Sequence, residues 1–268
     1  MNRTFINRPI HKVEWPVPNV LAFTTTRLHP ENQHDFSKNS ECTFYSHFNI
    51  GEHVGDNPEQ VKYNRNQLLE NLSPNSKIQW LDQIHGNKVV TIDYHSSIPL
   101  VADAAITQQK NIGLAVMTAD CLPILLSAVD GSEIAAIHGG WKPLGKNIIA
   151  HTVNKMHTSN ENIIAWLGPC IGETAFEVGE DVKLAFESQS ENFISAFSVR
   201  SSDAALTKNV VKVKYLANLP MIAKIQLKAL GVNQLHHLDH CTYTDEQQYF
   251  SYRRDKVTGR MASIISRI

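Results

Sequence analysis

The sequence predicts a layered α/β fold. Runs in the middle of the chain such as LAVM and ILLSAV are apolar at consecutive positions, as central strands covered on both faces are. They alternate with helical patterns that have recognisable starts and stops. No internal repeat, Gly/Ser-rich or Pro-rich linker or long charge run divides the 268 residues, so one domain over 1–268 is the economical organisation. A chain of this size buries roughly three quarters of its unfolded surface and folds without disulfide staples.

The elements follow in order. Residues from Arg27 to Ser46 are polar, with Pro30 and several Asn, His and Ser, and read as a long loop. Asn57 followed by Pro58 starts a helix, an N-cap side chain and then a residue whose missing N–H costs nothing at the first helical position. That helix is expected to run to Leu72. Its apolar stripe of Val61, Leu68 and Leu72 also carries Asn64 and Arg65. An inward guanidinium needs a partner, which is either an internal acceptor or a substrate anion. Strands are expected over 88–92, 113–117, 123–129 and 133–138, then a helix over 144–157 and a strand over 162–167. A short helix over 179–188, a helix over 216–230 stopped by Gly231, and strands over 234–238 and 261–266 complete the chain.

Composition excludes several classes. Hydrophobic residues make up 42% and charged residues 19%, which rules out collagen-like, low-complexity and wholly disordered chains. Lys+Arg number 25 against 26 Asp+Glu, so the electrostatic footprint of a nucleic-acid or anionic-membrane binder is missing. Cys42, Cys121, Cys170 and Cys241 are far apart with no CxxC pair, which suits reduced thiols in a cytoplasm. The amino terminus has no apolar core of a signal peptide, and the most apolar stretch, 112–129, is broken by Asp120 and Pro123. Neither a signal peptide nor a membrane span is expected.

Three polar clusters end apolar strands: Gln83-Ile-His85-Gly86, Thr118-Ala-Asp120-Cys121-Leu-Pro123 and Ala136-Ile-His138-Gly-Gly-Trp141-Lys142. Strand ends are where ligands gather in layered α/β proteins. His85, Cys121 and His138 offer two imidazoles and a thiolate, a zinc ligand set with a position left for a reactant, though in no finger-like spacing. The same residues also fit a Cys121 nucleophile activated by His138, or a buried thiol beside hydrogen-bonded core histidines. Asp103 is a carboxylate among small residues that either orients a ligating histidine, contacts substrate or caps a turn. Glu177 reads as a general acid/base or a helix-start anion, and Cys170, between Gly168 and Gly172, as a close-approach turn or an inert thiol. Arg253, Arg254 and Arg260, with aromatic neighbours, suit a planar, anionic or phosphate-bearing ligand or a solvated turn. The His236-His237-Leu-Asp239-His240 run is metal-friendly in composition, but a strand sends alternate side chains to opposite faces.

Together these segments resemble the laccase-domain family of purine nucleoside phosphorylases, formerly labelled polyphenol oxidases or multicopper-oxidase-like proteins. The resemblance is carried by Thr25-Thr26-Arg27, Asn49-Ile-Gly, His53-Val-Gly-Asp56, Asn64-Arg65, Gln83-Ile-His85-Gly86 and Ala102-Asp103-Ala104. It continues through Thr118-Ala-Asp120-Cys121-Leu-Pro123, His138-Gly-Gly-Trp141, Gly168-Pro-Cys170-Ile-Gly172, Cys241-Thr242 and Phe250-Ser-Tyr-Arg253-Arg254. Each is weak alone; the ordered set, over about 23 to 260, is specific. It implies a single-domain α/β/β/α-type sandwich with Zn²⁺ on the residues matching His85, Cys121 and His138, Cu²⁺ ranking behind. The implied reactions are phosphorolysis of adenosine, inosine and methylthioadenosine, and adenosine deamination. The family is also linked to copper-dependent phenol oxidation and to peptidoglycan-precursor editing. Two departures stand out: Gly139, Lys142 and Pro143 replace the usual Ala, Arg and Gly of the segment after the second histidine, and Leu28-His29-Pro30 replaces a glycine-rich stretch. Lysine keeps the charge but loses the two-pronged donor.

On this reading the metal lowers the pKa of a bound water for deamination, and cations hold the phosphate that displaces the purine. Arg65 and Arg253 lead as phosphate-holding candidates, with Arg27 and Lys142 behind, Asn49 and Cys170 as further substrate contacts, and Asp103 or Glu177 handling the proton. The partners are small nucleosides and phosphate, with no nucleic acid or membrane. Competing readings are a metal-free Cys-His hydrolase or amidase, a copper polyphenol oxidase, and a non-enzymatic binding protein knotted by zinc.

Overall fold

A computed structural model describes residues 9–28, 44–45, 47–203 and 212–268. Most of the loop expected at 27–46, with Cys42, therefore lies outside the described residues.

Two sheets stack face to face. The first runs in spatial order β1 (Ile10–Val13), β2 (Val20–Thr25), β16 (Met261–Arg267), β8 (Ile112–Thr118) and β3 (Lys77–Gln79). The second runs β15 (Gln234–His237), β11 (Ile163–Leu167), β9 (Leu122–Ala128), β10 (Ile134–Gly139), β7 (Ala104–Thr107) and β5 (Val89–Thr91). A ribbon of β12 (Glu177–Gly179), β14 (Lys212–Ala217) and β13 (Phe197–Asp203), and a pair of β4 (Leu81–Asp82) with β6 (Leu100–Val101), lie beside them in the chain.

The period of two along each strand sorts side chains into three apolar layers. On β8, Leu114 and Val116 point between the sheets, where they meet Ile265, Leu125, Ala136 and Trp166, while Ala115 and Met117 point outward. There they pack with Phe23, Ile264 and Leu68 of helix α1 (Pro58–Leu69). The far face of the second sheet, with Ile124, Leu126 and Ile137, is covered by α2 (Trp141–Gly145), α3 (Ile148–Val153), α4 (Glu180–Glu187) and α5 (Leu219–Ala229). The order is helix, sheet, sheet, helices, as expected. Each fully buried Leu or Ile of these layers contributes about 1.5–3 kcal/mol.

Helix α1 starts as predicted, with the Asn57 side chain accepting from Glu59 N and Gln60 N, but ends at Leu69. The helix expected over 144–157 is two, because Asn147 is left-handed (φ 58°) and no helix of L-residues continues through such a residue. The helix expected over 216–230 starts later: Leu216 and Ala217 pair with Ser198 and Phe197 in the ribbon, and Asn218 caps Met221 N. It stops at Gly231, left-handed at φ 88°. Among the described residues, no helix is long and apolar enough to cross a membrane.

Register brings the functional strand ends together. His138 pairs with Pro123 and Gly139 with Leu122, so the end of β10 lies beside the β8–β9 turn that holds Cys121. Met261 pairs with Thr118, which sets Arg260 against the same turn from the other side.

Candidate active site and metal centre

The ligand atoms of His85, Cys121 and His138 lie within 4.8 Å of one another, the one such cluster found among the described residues. Cys121 Sγ is 4.0 Å from His85 Nε2, and the two imidazoles meet edge to face with centroids 4.7 Å apart. His85 sits at φ 56° and Asp120, just before the cysteine, at φ 93°, left-handed turns that swing the flanking side chains off their strand ends. Gly140 is required here: a Cβ on it would stand 2.9 Å from Cys121 Sγ.

Asp103 organises the cluster from behind. It is fully buried. Its Oδ1 accepts from His138 Nδ1 at 2.8 Å and His85 N at 2.9 Å, and its Oδ2 accepts from Gly86 N at 2.6 Å. A proton held on Nδ1 leaves Nε2 as the ligand atom of His138. Two imidazoles and a thiol in mutual reach, one with its tautomer fixed by a carboxylate, fit a divalent-metal centre with three protein ligands.

The electrostatics agree. Burial pushes the Cys121 thiol up, but the His138 charge and hydrogen bonds from both histidines outweigh it and bring the pKa down to about 6. Burial pushes His138 down, and the Cys121 thiolate with Asp103 overcomes this and raises it to about 9. Burial also opposes the Asp103 charge, yet its bonds to His138 and the Gly86 and His85 amides hold it below the ordinary carboxylate value. Without metal, the lowered Cys121 and raised His138 favour the thiolate–imidazolium form of the pair.

Asp120, absent from the expected site, ties three segments to the cysteine turn. Its Oδ1 accepts from Thr242 Oγ1 at 2.7 Å, its Oδ2 from Arg253 N at 2.6 Å, and its carbonyl from Ile171 N at 2.9 Å.

A cavity of about 600 Å³ opens over the cluster. That is the size of a small-molecule site. Phe176, Trp141 and Tyr252 supply aromatic walls, and Arg253, Lys142 and Arg260 supply cations. His53 and Asp82 also line it. Burial lowers the pKa of His53, with Arg260 and Arg65 adding to the effect.

The other expected residues are placed elsewhere. Arg65 spends its guanidinium on Ile50 O (2.9 Å), Glu52 (2.8 Å) and the Met117 sulfur (3.7 Å), and stacks 4.1 Å from the Trp80 centroid. Its inward position is thus answered by internal partners. Arg27 donates to Glu246 O at 2.8 Å beside a separate hollow with Phe44 and Arg254. The Glu177 carboxylate pairs with Arg200 and Lys214 rather than facing the cavity, and only its carbonyl reaches the site, accepting from Arg253 NH1 at 2.8 Å. Asn49 is buried outside the lining, and Cys170, a free thiol, is buried where its backbone pairs with that of Cys241, and burial pushes the thiol up. The sequence groups Arg260 with Arg253 and Arg254 as suiting an anionic ligand, without a role of its own. His53 and Asp120, visible there only inside motifs, are site residues that sequence reasoning did not select; their signal was proximity in sequence to Asn49 and Cys121.

A Haemophilus influenzae protein named purine nucleoside phosphorylase is 41% identical over 252 residues, covering 94% of this chain and 96% of its own length. Purine nucleoside phosphorylase YfiH of Shigella flexneri is 39% identical over 253 residues, covering 94% and 96%. The crystal structure of a Neisseria meningitidis protein matches the fold with a TM-score of 0.83 at 35% identity, covering 97% of this chain and 99% of that one. A family model for the multi-copper polyphenol oxidoreductase laccase group spans residues 33–268, and with these near full-length relatives it establishes that the chain belongs to that family.

Proposed function

We propose that the chain is a zinc-dependent purine nucleoside phosphorylase of the cytoplasm, acting as one unit over 1–268 on adenosine, inosine and methylthioadenosine, with adenosine deamination as a second reaction. The observation that carries this reading is the His85–Cys121–His138 cluster beneath a cavity with aromatic walls and three cations. Relatives named as purine nucleoside phosphorylases support it.

His85, Cys121 and His138 would hold the ion, which when bound supplies a Lewis acid at the cavity floor. Asp103 fixes the His138 tautomer and the His85 backbone, and so acts through the ligands rather than on substrate. Phe176, Trp141 and Tyr252 offer flat faces for a purine. Arg253 and Lys142 neutralise the phosphate that must approach the sugar as the base departs. Three N–H groups hold Asp103 and Glu177 is turned to Arg200 and Lys214, and neither lines the cavity, so His53 and Asp82 of the lining are our candidates for handling the proton of the departing purine.

A Cys-His amidase is the second reading, favoured by the thiolate–imidazolium pair of Cys121 and His138. One experiment separates the two. Purified protein of measured metal content is given adenosine with and without phosphate, and adenine, inosine and ribose 1-phosphate are followed. Adenine with ribose 1-phosphate only when phosphate is present supports the phosphorylase. Nucleosides left intact, with amide turnover that survives chelation and stops on alkylation, would replace it with the amidase.

A further inference from the structure

The arginines around the cavity differ in how many donors the protein leaves them. A guanidinium carries five N–H groups in a planar fork. Arg254 gives its fork to Asp255 and to the carbonyls of Thr242, Tyr243 and Tyr249, and Arg65 is similarly committed. Arg260 gives only NH1, to Thr258 O at 2.9 Å and Gly259 O at 3.0 Å. Its Nε and NH2, the side-on edge that takes two anion oxygens at once, make no hydrogen bond to a described residue, and the side chain lines the cavity.

The Asn49-Ile50-Gly51 segment, where a substrate contact was expected at Asn49 but which does not line the cavity, builds the seat for this side chain. Asn49 Oδ1 accepts from Arg260 N at 2.8 Å and from Gly51 N at 2.9 Å, while its Nδ2 donates to Gly51 O and to Asp56. Ile50 N closes the loop by donating to Arg260 O at 3.1 Å. Gly51 is needed because a Cβ there would lie 2.8 Å from Arg260 Cγ. Register with β8 then holds the residue against the turn that carries Asp120 and Cys121. A buried amide and a glycine thus hold the backbone and Cγ of a side chain that lines the cavity.

We infer that Arg260, seated by Asn49 and Gly51, binds the inorganic phosphate co-substrate through its Nε–NH2 edge, alongside Arg253 and Lys142. The inference rests on the phosphorylase reading and names a further residue that sets its affinity for phosphate. Asn49 and Gly51 are positioning residues that act through Arg260.

The test is steady-state phosphorolysis by the metal-loaded protein with nucleoside and phosphate varied separately, together with calorimetric titration of inorganic phosphate and of adenosine 5′-monophosphate. Arg260→Gln is expected to raise the phosphate KM and the phosphate dissociation constant roughly 10- to 100-fold, the range for losing charge-assisted bonds, with the nucleoside KM within about twofold. Arg260→Lys, which keeps charge without the fork, is expected to recover part of the loss. Gly51→Ala, which disturbs only the seat, raises the phosphate KM by a smaller factor. If Arg260→Gln does not fold, as judged by circular dichroism and melting, Arg260→Lys and Gly51→Ala carry the test. A phosphate KM unchanged in the folded variants of a wild type that does make ribose 1-phosphate overturns the inference and leaves the phosphorylase standing. Weakened binding of the nucleotide with unchanged binding of inorganic phosphate overturns it as well. A wild type that neither makes ribose 1-phosphate nor binds phosphate removes the phosphorylase reading and this inference with it.

Discussion

The floor of the cavity and its cationic rim are built on different principles. On the floor, His138 is placed by strand register, Cys121 by the turn that carries the chain from β8 of the first sheet to β9 of the second, and His85 by a loop whose amides Asp103 grips. Backbone geometry decides which atoms meet. Arg260 lines the rim and Arg65 lies outside it; both are long cations bonded to the Asn49-Ile50-Gly51 segment, both with charge disfavoured by burial, and what separates them is the fate of their donors. Arg65 is consumed by Ile50, Glu52 and Trp80, whereas Arg260 keeps Nε and NH2 unbonded to any described residue. A residue's chemistry on a rigid floor can be read from where it sits; on a rim it depends on what it is already bonded to.

The contrast breaks most visibly at the floor. Cys121→Ala is expected to abolish stoichiometric metal and to lower phosphorolysis by more than about 100-fold, beyond the range found for outer-shell partners. Elemental analysis and product assay of the same preparation check both. Asp103→Asn comes next, at about 10- to 100-fold in metal affinity or activity. An amide cannot accept from His138, His85 and Gly86 together without turning its NH₂ against one of these donors.

A pH titration sharpens the same region. In metal-stripped protein the thiolate is the reactive form and Cys121 is depressed to about 6, so its alkylation is gained as pH rises through about 6. An ordinary thiol gains it near 8.5. Peptide mass spectrometry assigns the site, and Asp103→Asn is expected to move the midpoint upward because the His138 cation loses its support. The smallest kinetic effect belongs to Arg65→Met, expected to cost about 1–3 kcal/mol of stability through lost stacking and backbone bonds. Its phosphate KM is expected to change less than that of Arg260→Gln. Denaturant unfolding beside the kinetics checks this, and the reverse ranking would erase the distinction between the two arginines.

Part of the floor was legible in the sequence: apolar runs mark the strands that flank Cys121 and His138, whereas His85 lies in a loop, and the resemblance rather than the spacing pointed to a metal over a nucleophile or an inert thiol. The central strands β8, β9, β10 and β11 were expected within a residue or two of where they lie. The first sheet's β2 was not expected: Thr24 and Thr25 are buried there with hydrogen bonds across to Ser263 and Ala262, so an inward face reads as polar. Strands of two to four residues, such as β4, β6 and β12, are too short to show a period. The break at Asn147 depends on one residue's backbone conformation rather than on any hydrophobic pattern. For the cations, the helical stripe brought Arg65 forward and the Thr25-Thr26-Arg27 motif Arg27, yet tertiary partners that no spacing reveals, Glu52 for one and Glu246 for the other, decide their roles.

Anomalous diffraction from crystals of the metal-loaded protein, recorded on both sides of the zinc absorption edge, addresses the centre most directly. A single peak per chain at roughly 2.0–2.4 Å from a nitrogen of His85, a nitrogen of His138 and the Cys121 sulfur is the predicted result. A peak bonded elsewhere, or loaded crystals with no metal between these three side chains, would contradict it.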